Sequence, residues 1–302
     1  MYPSRFRYEA PASLDEAIAL LREGDGEAKV LAGGQSLVPL LKLRFASPEL
    51  LVDINNLPGL GHHVEDPDGS IRIGALCRHR DLERSALLPA RQPTMAAAAP
   101  LIADPIVRTR GTLVGSLCHA DPQGDWASVV TSLGGHVVAQ GTRGRRTIPV
   151  TDFVTGPFSN VLDVDEVAVE VVIPAPKGTP VGGYLKLERR VGDFATAGVA
   201  VALDLAGGRV ARAGIGLTGV GGSTIDAREA ADSLVGRPLD SAGIERAADL
   251  AAAAAQPQSD HRGSADYKRH VVHTFVTRLL TRVVDGQGGA GQDGAGQEMG
   301  AA

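Results

Sequence analysis

The stretch from Val30 to Leu43 most constrains what this chain can fold into. An apolar run of Val30, Leu31 and Ala32 enters Gly33-Gly34, and Ser36 then opens a segment whose Leu37, Leu40 and Leu41 suit one face of a helix. It reads as strand, tight turn, helix. Paired glycines permit positive φ and close approach of the backbone to a ligand, while unpartnered N–H groups at the turn favour an anion such as a phosphate. An ordinary strand-to-helix connection fits the stretch equally well, and a second loop of the same kind is what would separate the two readings.

The first segment, to Asp53, reads β-α-β-α-β. Phe6 and Tyr8 alternate with polar residues. Pro11 ends that strand, and Ser13-Leu14-Asp15-Glu16 spells a capping box ahead of Ala17, Ile18, Leu20 and Leu21, with Gly24 and Gly26 closing the helix. A strand over 29–32, a helix over 37–44 and a strand over 50–54 follow. Right-handed crossovers make this a small parallel sheet, with the glycine turn at the carboxyl end of a strand where open α/β sheets take ligands.

From Gly59 to Ile173 the pattern turns toward antiparallel β with inserted helices. Strands are expected at 70–74, 136–139, 147–150 and 167–173, an alanine-rich helical stretch at 93–102 and a helix at 127–133. The second glycine loop, Gly111 through Pro122, gathers hydroxyls, His119 and Asp121. His119-x-Asp121 has no further ligands at metal spacing and no nucleophile elbow, so loop-pinning hydrogen bonds and ligand contact stay as its two readings. Beyond Gly182 come three strands (183–187, 198–205, 210–217) and helices at 227–234, 241–255 and 267–284. Gly214-Ile215-Gly216-Leu217-Thr218-Gly219 matches the dinucleotide fingerprint, yet it follows a hairpin and opens no helix, which rejects it as a nucleotide site. His270 and His273 lie three apart on the last helix without further ligands nearby in sequence. The Gly-, Ala- and Gln-rich 286–302 is expected to be a disordered tail.

Composition narrows the function classes. With 43% hydrophobic residues but no uninterrupted run of membrane-spanning length, the sequence contains no transmembrane segment; the first ten residues carry Arg5, Arg7 and Glu9 and no signal core, so a cytoplasmic protein is expected. A net charge of −5 offers no basic face for nucleic acid. Cys77 and Cys118 are the two cysteines, too few for an iron–sulfur cluster held by this chain alone.

The loops Ala32-Gly33-Gly34-Gln35-Ser36 and Gly111-Thr112-Leu113-Val114-Gly115-Ser116, taken with His119-Ala120-Asp121-Pro122, Asp125, Glu166 to Glu170, Lys186 and Arg189 to Ala195, carry a family resemblance over residues 1–285. The chain resembles the FAD-binding medium subunit of molybdenum hydroxylases, the family of aerobic carbon monoxide dehydrogenase, nicotine dehydrogenase and the flavin region of xanthine dehydrogenase. In that family an A-G-G-x-S loop and a T-x-G-G-[NS] loop grip the FAD pyrophosphate. The first matches; in the second, Val114 stands where the family has the first of two glycines. The cysteine-bearing insertion of the benzoyl-CoA reductase branch is missing.

The resemblance implies an α+β fold. A FAD-binding domain of PCMH type (1–176) would combine a small parallel subdomain (1–56) with a larger antiparallel one (57–176), ahead of a C-terminal domain (180–285) of the carbon monoxide dehydrogenase flavoprotein type with a three-stranded antiparallel sheet and helices. Val30, Leu31, Ala32, Gly33, Gly34, Gln35, Ser36 and Leu37 would hold the diphosphate together with Gly111, Thr112, Gly115 and Ser116. Ile102 would pack on the ring system or its linker. His119, Ala120 and Asp121 join the cofactor contacts, Asp125 would accept hydrogen bonds from ligand hydroxyls, and Ala168 and Lys186 lie at the flavin edge with Phe194 beside the isoalloxazine. Each has a plainer reading: Asp125 as a helix N-cap, Lys186 as an exposed strand residue, Phe194 as ordinary packing. The implied role is an oxidoreductase subunit with no catalytic or metal residue of its own. It would pass electrons through FAD from [2Fe–2S] clusters on a small subunit, while substrate is oxidised on a molybdopterin-binding large subunit, in a dimer of heterotrimers. A self-contained flavin oxidase or reductase and a flavin-free interaction or assembly subunit remain as alternatives.

Overall fold

The computed structural model describes residues 2–286. The tail expected over 286–302 lies outside the described residues apart from Gly286. The first sheet is parallel, in the order β1 (Arg7–Glu9), β3 (Leu50–Asp53), β2 (Ala28–Leu31), with α1 (Leu14–Glu23) and α2 (Leu37–Leu43) as its crossovers. α1 forms where the capping signal predicts it: Ser13 Oγ accepts the Glu16 N–H at 3.2 Å. The Glu16 carboxylate accepts from Ala12 rather than Ser13, one residue earlier than a standard box. Ala17, Ile18 and Leu21, spaced for one helical face, are its buried residues.

The second region begins with β4 (His63–Glu65) and β5 (Ile71–Gly74) and then runs through six short helices: α3 (His79–Glu83), α4 (Leu88–Arg91), α5 (Pro93–Ala98), α6 (Pro105–Arg108), α7 (Leu113–His119) and α8 (Asp125–Ser132). It continues with β6 (His136–Gly141), β7 (Gly144–Pro149), α9 (Val150–Phe153), a small hairpin of β8 (Val154–Gly156) and β9 (Ser159–Asn160), and β10 (Val167–Ile173). The sheet order is β4-β5-β10-β6-β7, antiparallel throughout. One expectation is corrected here. The second glycine loop is mostly helix, because Thr112 Oγ1 accepts the Gly115 N–H at 3.0 Å and caps α7 at its start.

The C-terminal region is a four-stranded antiparallel sheet, β11 (Thr179–Leu187), β12 (Ala197–Ala206), β13 (Arg209–Thr218) and the two-residue β14 (Ile225–Asp226), followed by α10 (Arg228–Asp232), α11 (Ser241–Ala254) and α12 (Ala265–Val284). Its three long strands are those expected; β14 escaped notice because two residues carry no period. Alternation sorts the two faces of the sheet. Val199, Val201 and Leu203 pack with Val272, Val276 and Leu280 of α12, whereas Ala200 and Ala202 join the core of the first two regions. On that second face Gly216 pairs with Ala200 and Gly214 with Ala202. A β-carbon on either glycine would collide with α8, lying 2.7 Å from the Ser132 carbonyl carbon or 2.8 Å from that of Ser128. Gly214 and Gly216 of the fingerprint-like run therefore serve close helix-on-sheet packing.

Candidate functional site

The carboxyl end of β2 leads into Ala32 to Ser36, and this turn abuts the second loop. A β-carbon on Gly33 would overlap the Arg110 carbonyl oxygen and sit 2.9 Å from Gly111 Cα, so only glycine lets the two backbones touch. Gly34 has φ +74°, in the left-handed region that favours glycine. Ser36 precedes α2 without making a side-chain capping bond, which leaves its hydroxyl for another partner. Beside the contact, Arg78 forms an isolated bridge with Thr112, and the His79 N–H donates to the Gly111 carbonyl at 2.9 Å. Val114, the departure from the family pattern, turns its side chain into the core, where it is 2% exposed.

His79 is buried and accepts the Trp126 indole N–H on Nδ1 at 3.0 Å. Burial, with Arg108 and Arg78 nearby, lowers its pKa to about 4, which keeps it neutral as that acceptor role requires. Trp126 is the second residue of α8; the first is Asp125. The helix is capped by Gly124, so Asp125 is not its N-cap. Instead Asp125 Oδ1 accepts the Tyr184 hydroxyl at 2.6 Å and Oδ2 the Lys186 ammonium at 3.0 Å. Lys186 also donates to the Leu101 carbonyl and faces Glu188 at 3.3 Å, and its side chain is only 2% exposed, which corrects its reading as an exposed strand residue. Burial raises the Asp125 pKa, with Lys186 opposing, and holds the Tyr184 hydroxyl well above the usual phenol range. This is a buried charge network with one cation between two carboxylates.

The remaining expected residues fall around these two centres. Ile102 joins the core at 7% exposure beside Ala103, whose φ is +48°. Arg108 Nη1 donates to the carbonyls of both Ile102 and Ala103, at 3.1 and 2.9 Å. Ala168 is buried in β10 next to a bulge. His119 lies against Phe158 with ring centroids 5.2 Å apart, and Ala120 ends α7 in the left-handed region. Asp121 accepts the Gln123 N–H, an Asx turn that pins the loop. Phe194 is half exposed rather than packed. Gln35 donates to the Gly33 carbonyl at 3.2 Å, while Val30 and Leu37 flank the turn in β2 and α2.

Sequence reasoning missed Asn55, Arg78, Arg110, Tyr184 and Glu188. Tyr184 and Lys186 share one face of β11 by their two-residue spacing, a signal that was available; the others are brought in by tertiary contacts. His273 is also less solitary than its own helix implied: Glu245 and Asp249 of α11 each come within 3.3 Å of its Nε2, giving a solvent-facing cluster of one imidazole and two carboxylates that His270 does not join.

Comparison with known proteins places the chain in a family. Residues 4–176 match the model for the FAD binding domain in molybdopterin dehydrogenase, and 183–283 match that for the CO dehydrogenase flavoprotein C-terminal domain. The chain is 41% identical over 280 residues to the carbon monoxide dehydrogenase medium chain of Hydrogenophaga pseudoflava, covering 93% of this chain and 97% of that one. It is 38% identical over 275 residues to the nicotine 6-hydroxylase medium subunit of Paenarthrobacter nicotinovorans, covering 91% and 95%. Among solved structures, the fold is similar to that of carbon monoxide dehydrogenase from Hydrogenophaga pseudoflava (TM-score 0.89, 42% identity, 93% and 98% covered). It is also similar to quinoline 2-oxidoreductase from Pseudomonas putida 86 (TM-score 0.87, 33% identity, 95% and 99% covered).

Proposed function

Because the chain belongs to the FAD-binding medium subunits of molybdenum hydroxylases, we propose that it is the electron-transfer subunit of such an enzyme, seated between a [2Fe–2S] small subunit and an external electron acceptor. Substrate is oxidised on a molybdopterin-binding large subunit, and the three chains form a dimer of heterotrimers in the cytoplasm. FAD, when bound, supplies the redox chemistry, accepting electrons from the clusters and releasing them to the acceptor. The division of the chain into a FAD-binding domain (1–176) and a C-terminal domain (180–285) belongs to the same proposal.

One observation carries the reading: the glycine turn after β2 and the Arg110-Gly111 segment just ahead of α7 meet backbone to backbone at Gly33. The donors there suit a diphosphate. Backbone N–H groups and the Ser36 hydroxyl can attract and orient anionic oxygens without a lysine cradle. At the other end Lys186 would present a positive charge to the flavin, and Asp125 and Glu188 moderate that charge and fix where the ammonium points. A contact from Asp125 to a ligand hydroxyl would be an additional bond on oxygens that already serve Tyr184 and Lys186. Ile102 and Ala103, held by Arg108, and Phe194 would wall the space between the two ends and exclude water.

Purification tests the proposal. The chain expressed alone should carry FAD yet turn over no organic substrate, and co-expression with its neighbouring reading frames should yield a complex containing molybdenum and iron. A chain that neither retains nor takes up FAD would overturn it, as would substrate turnover by the isolated chain.

A further inference from the structure

Two residues outside the glycine loops tie those loops together. Asn55 lies just past β3, in the parallel region, and its Nδ2 donates to the Ala32 carbonyl of the first loop at 2.8 Å. Its Oδ1 accepts from Arg78 Nη2 at 2.6 Å. Arg78, in the antiparallel region, donates through Nη1 to the Arg110 carbonyl of the second loop at 2.8 Å. The chain of contacts thus runs from Ala32 through the Asn55 amide and the Arg78 guanidinium to Arg110, and both side chains use their opposite ends. Asn55 is itself oriented by Asp53, whose Oδ1 accepts from the Asn55 backbone and side chain at 2.9 and 2.6 Å. The Arg78 backbone N–H is held by the Asp81 carboxylate at 3.0 Å.

We infer that Asn55 and Arg78 form a strut that sets the distance between the two glycine loops and thereby the affinity for the diphosphate of FAD; the inference rests on the reading of those loops as the FAD site. The strut works against a hard stop. Gly33 pressed on Arg110 and Gly111 prevents closer approach, and the strut prevents separation, so the backbone N–H groups of both loops are held at one spacing. A planar guanidinium suits this task because it offers two parallel donors in a fixed fork, which lysine lacks. Asn55 and Arg78 are positioning residues in this scheme, acting on the ligand through the loops. The two regions also share one hydrophobic core, including Ala17, Ile18 and Val52 from the first and Ile71, Leu113 and Val171 from the second. Loss of the strut therefore frees the loops while leaving the fold.

The full-length chain, stripped of flavin, is titrated with FAD and separately with ADP, which carries the diphosphate without the flavin. Arg78→Met and Asn55→Leu should each weaken FAD about tenfold, the equivalent of one charge-assisted hydrogen bond at ~1.4 kcal/mol. ADP should lose the same factor, and the flavin-free melting temperature should stay close to that of the parent. Because the contacts act in series, the double variant should lose no more than either single one. Arg78→Lys, which keeps the charge but can hold only one end, should fall between parent and Arg78→Met. Parent-like FAD and ADP binding in Arg78→Met or Asn55→Leu overturns the strut, as does a double variant whose loss is the product of the single losses. A parent chain that binds neither FAD nor ADP fails earlier, on the assignment of the loops.

Discussion

Replacing Gly33 by alanine isolates the contact on which the functional reading rests. The added β-carbon would lie 2.9 Å from both the Arg110 carbonyl carbon and Gly111 Cα. Ordinary carbon–carbon contacts sit at about 3.5–4.0 Å, so the loops must part by at least roughly 0.6 Å. Forcing a methyl into a packed contact of this kind costs about 1–3 kcal/mol. In the flavin-free chain the loops relieve part of that cost by parting against the Asn55–Arg78 strut, whereas binding must draw them fully together again. The cost then appears as affinity: FAD binding should weaken by about ten- to a hundredfold. Titration of the flavin-stripped chain, followed by flavin fluorescence, measures this, with Gly61→Ala as control because a β-carbon there meets nothing within 4 Å. Parent-like FAD affinity in Gly33→Ala, with Gly61→Ala also unchanged, would refute the idea that loop contact governs binding.

Three further outcomes follow from the buried groups. Lys186→Met strands Asp125 and Glu188 without their cation and should destabilise the chain by about 3–5 kcal/mol in thermal or urea melts. Burial already raises the Asp125 pKa, and losing Lys186 raises it further; an acid whose folded pKa exceeds its unfolded value gains stability as pH falls, so the deficit against the parent should narrow in acid. His79 has the opposite sign. Its folded pKa of about 4 lies below its ordinary 6.5, so the unfolded chain binds the extra proton in that window, and stability should rise by about 3 kcal/mol from pH 4 to neutrality. His79→Gln should flatten that part of the urea-melt profile, and the fluorescence of Trp126, the single tryptophan, reports the site directly. Gly216→Val drives a branched side chain into the Ser128 backbone of α8 and should cost about 3 kcal/mol or more, read as lost soluble yield and melting temperature.

How much of this was legible in the sequence differs by element, and the reasons are physical. The parallel β-α-β-α-β order followed from local signals, the Ser13 cap, the glycine breaks and the apolar periods, and those are settled within a few residues of chain. The long strands 167–173 and 198–205 were legible because sustained apolar runs survive any tertiary context. The Thr112 to His119 stretch reads as loop on its glycine content, yet the capping hydroxyl of Thr112 makes it helix, because a capped helix tolerates an early glycine. The GxGxxG match in β13 shows the converse. Glycine spacing alone cannot distinguish a phosphate cradle from a groove for a helix, whereas strand and hairpin context could, and the collision with Ser128 and Ser132 supplies the reason for those glycines. Asn55 and Arg78 were illegible for a different cause. Each is an ordinary polar residue locally and gains its meaning only when β3 and the start of α3 are brought side by side, 23 residues apart in sequence. On the proposed reading the loop motifs name what is bound, while the residues that hold those motifs at the binding distance carry no motif of their own. A chain with both glycine loops intact but altered at Asn55 or Arg78 should accordingly look like a FAD protein in sequence and bind the cofactor weakly.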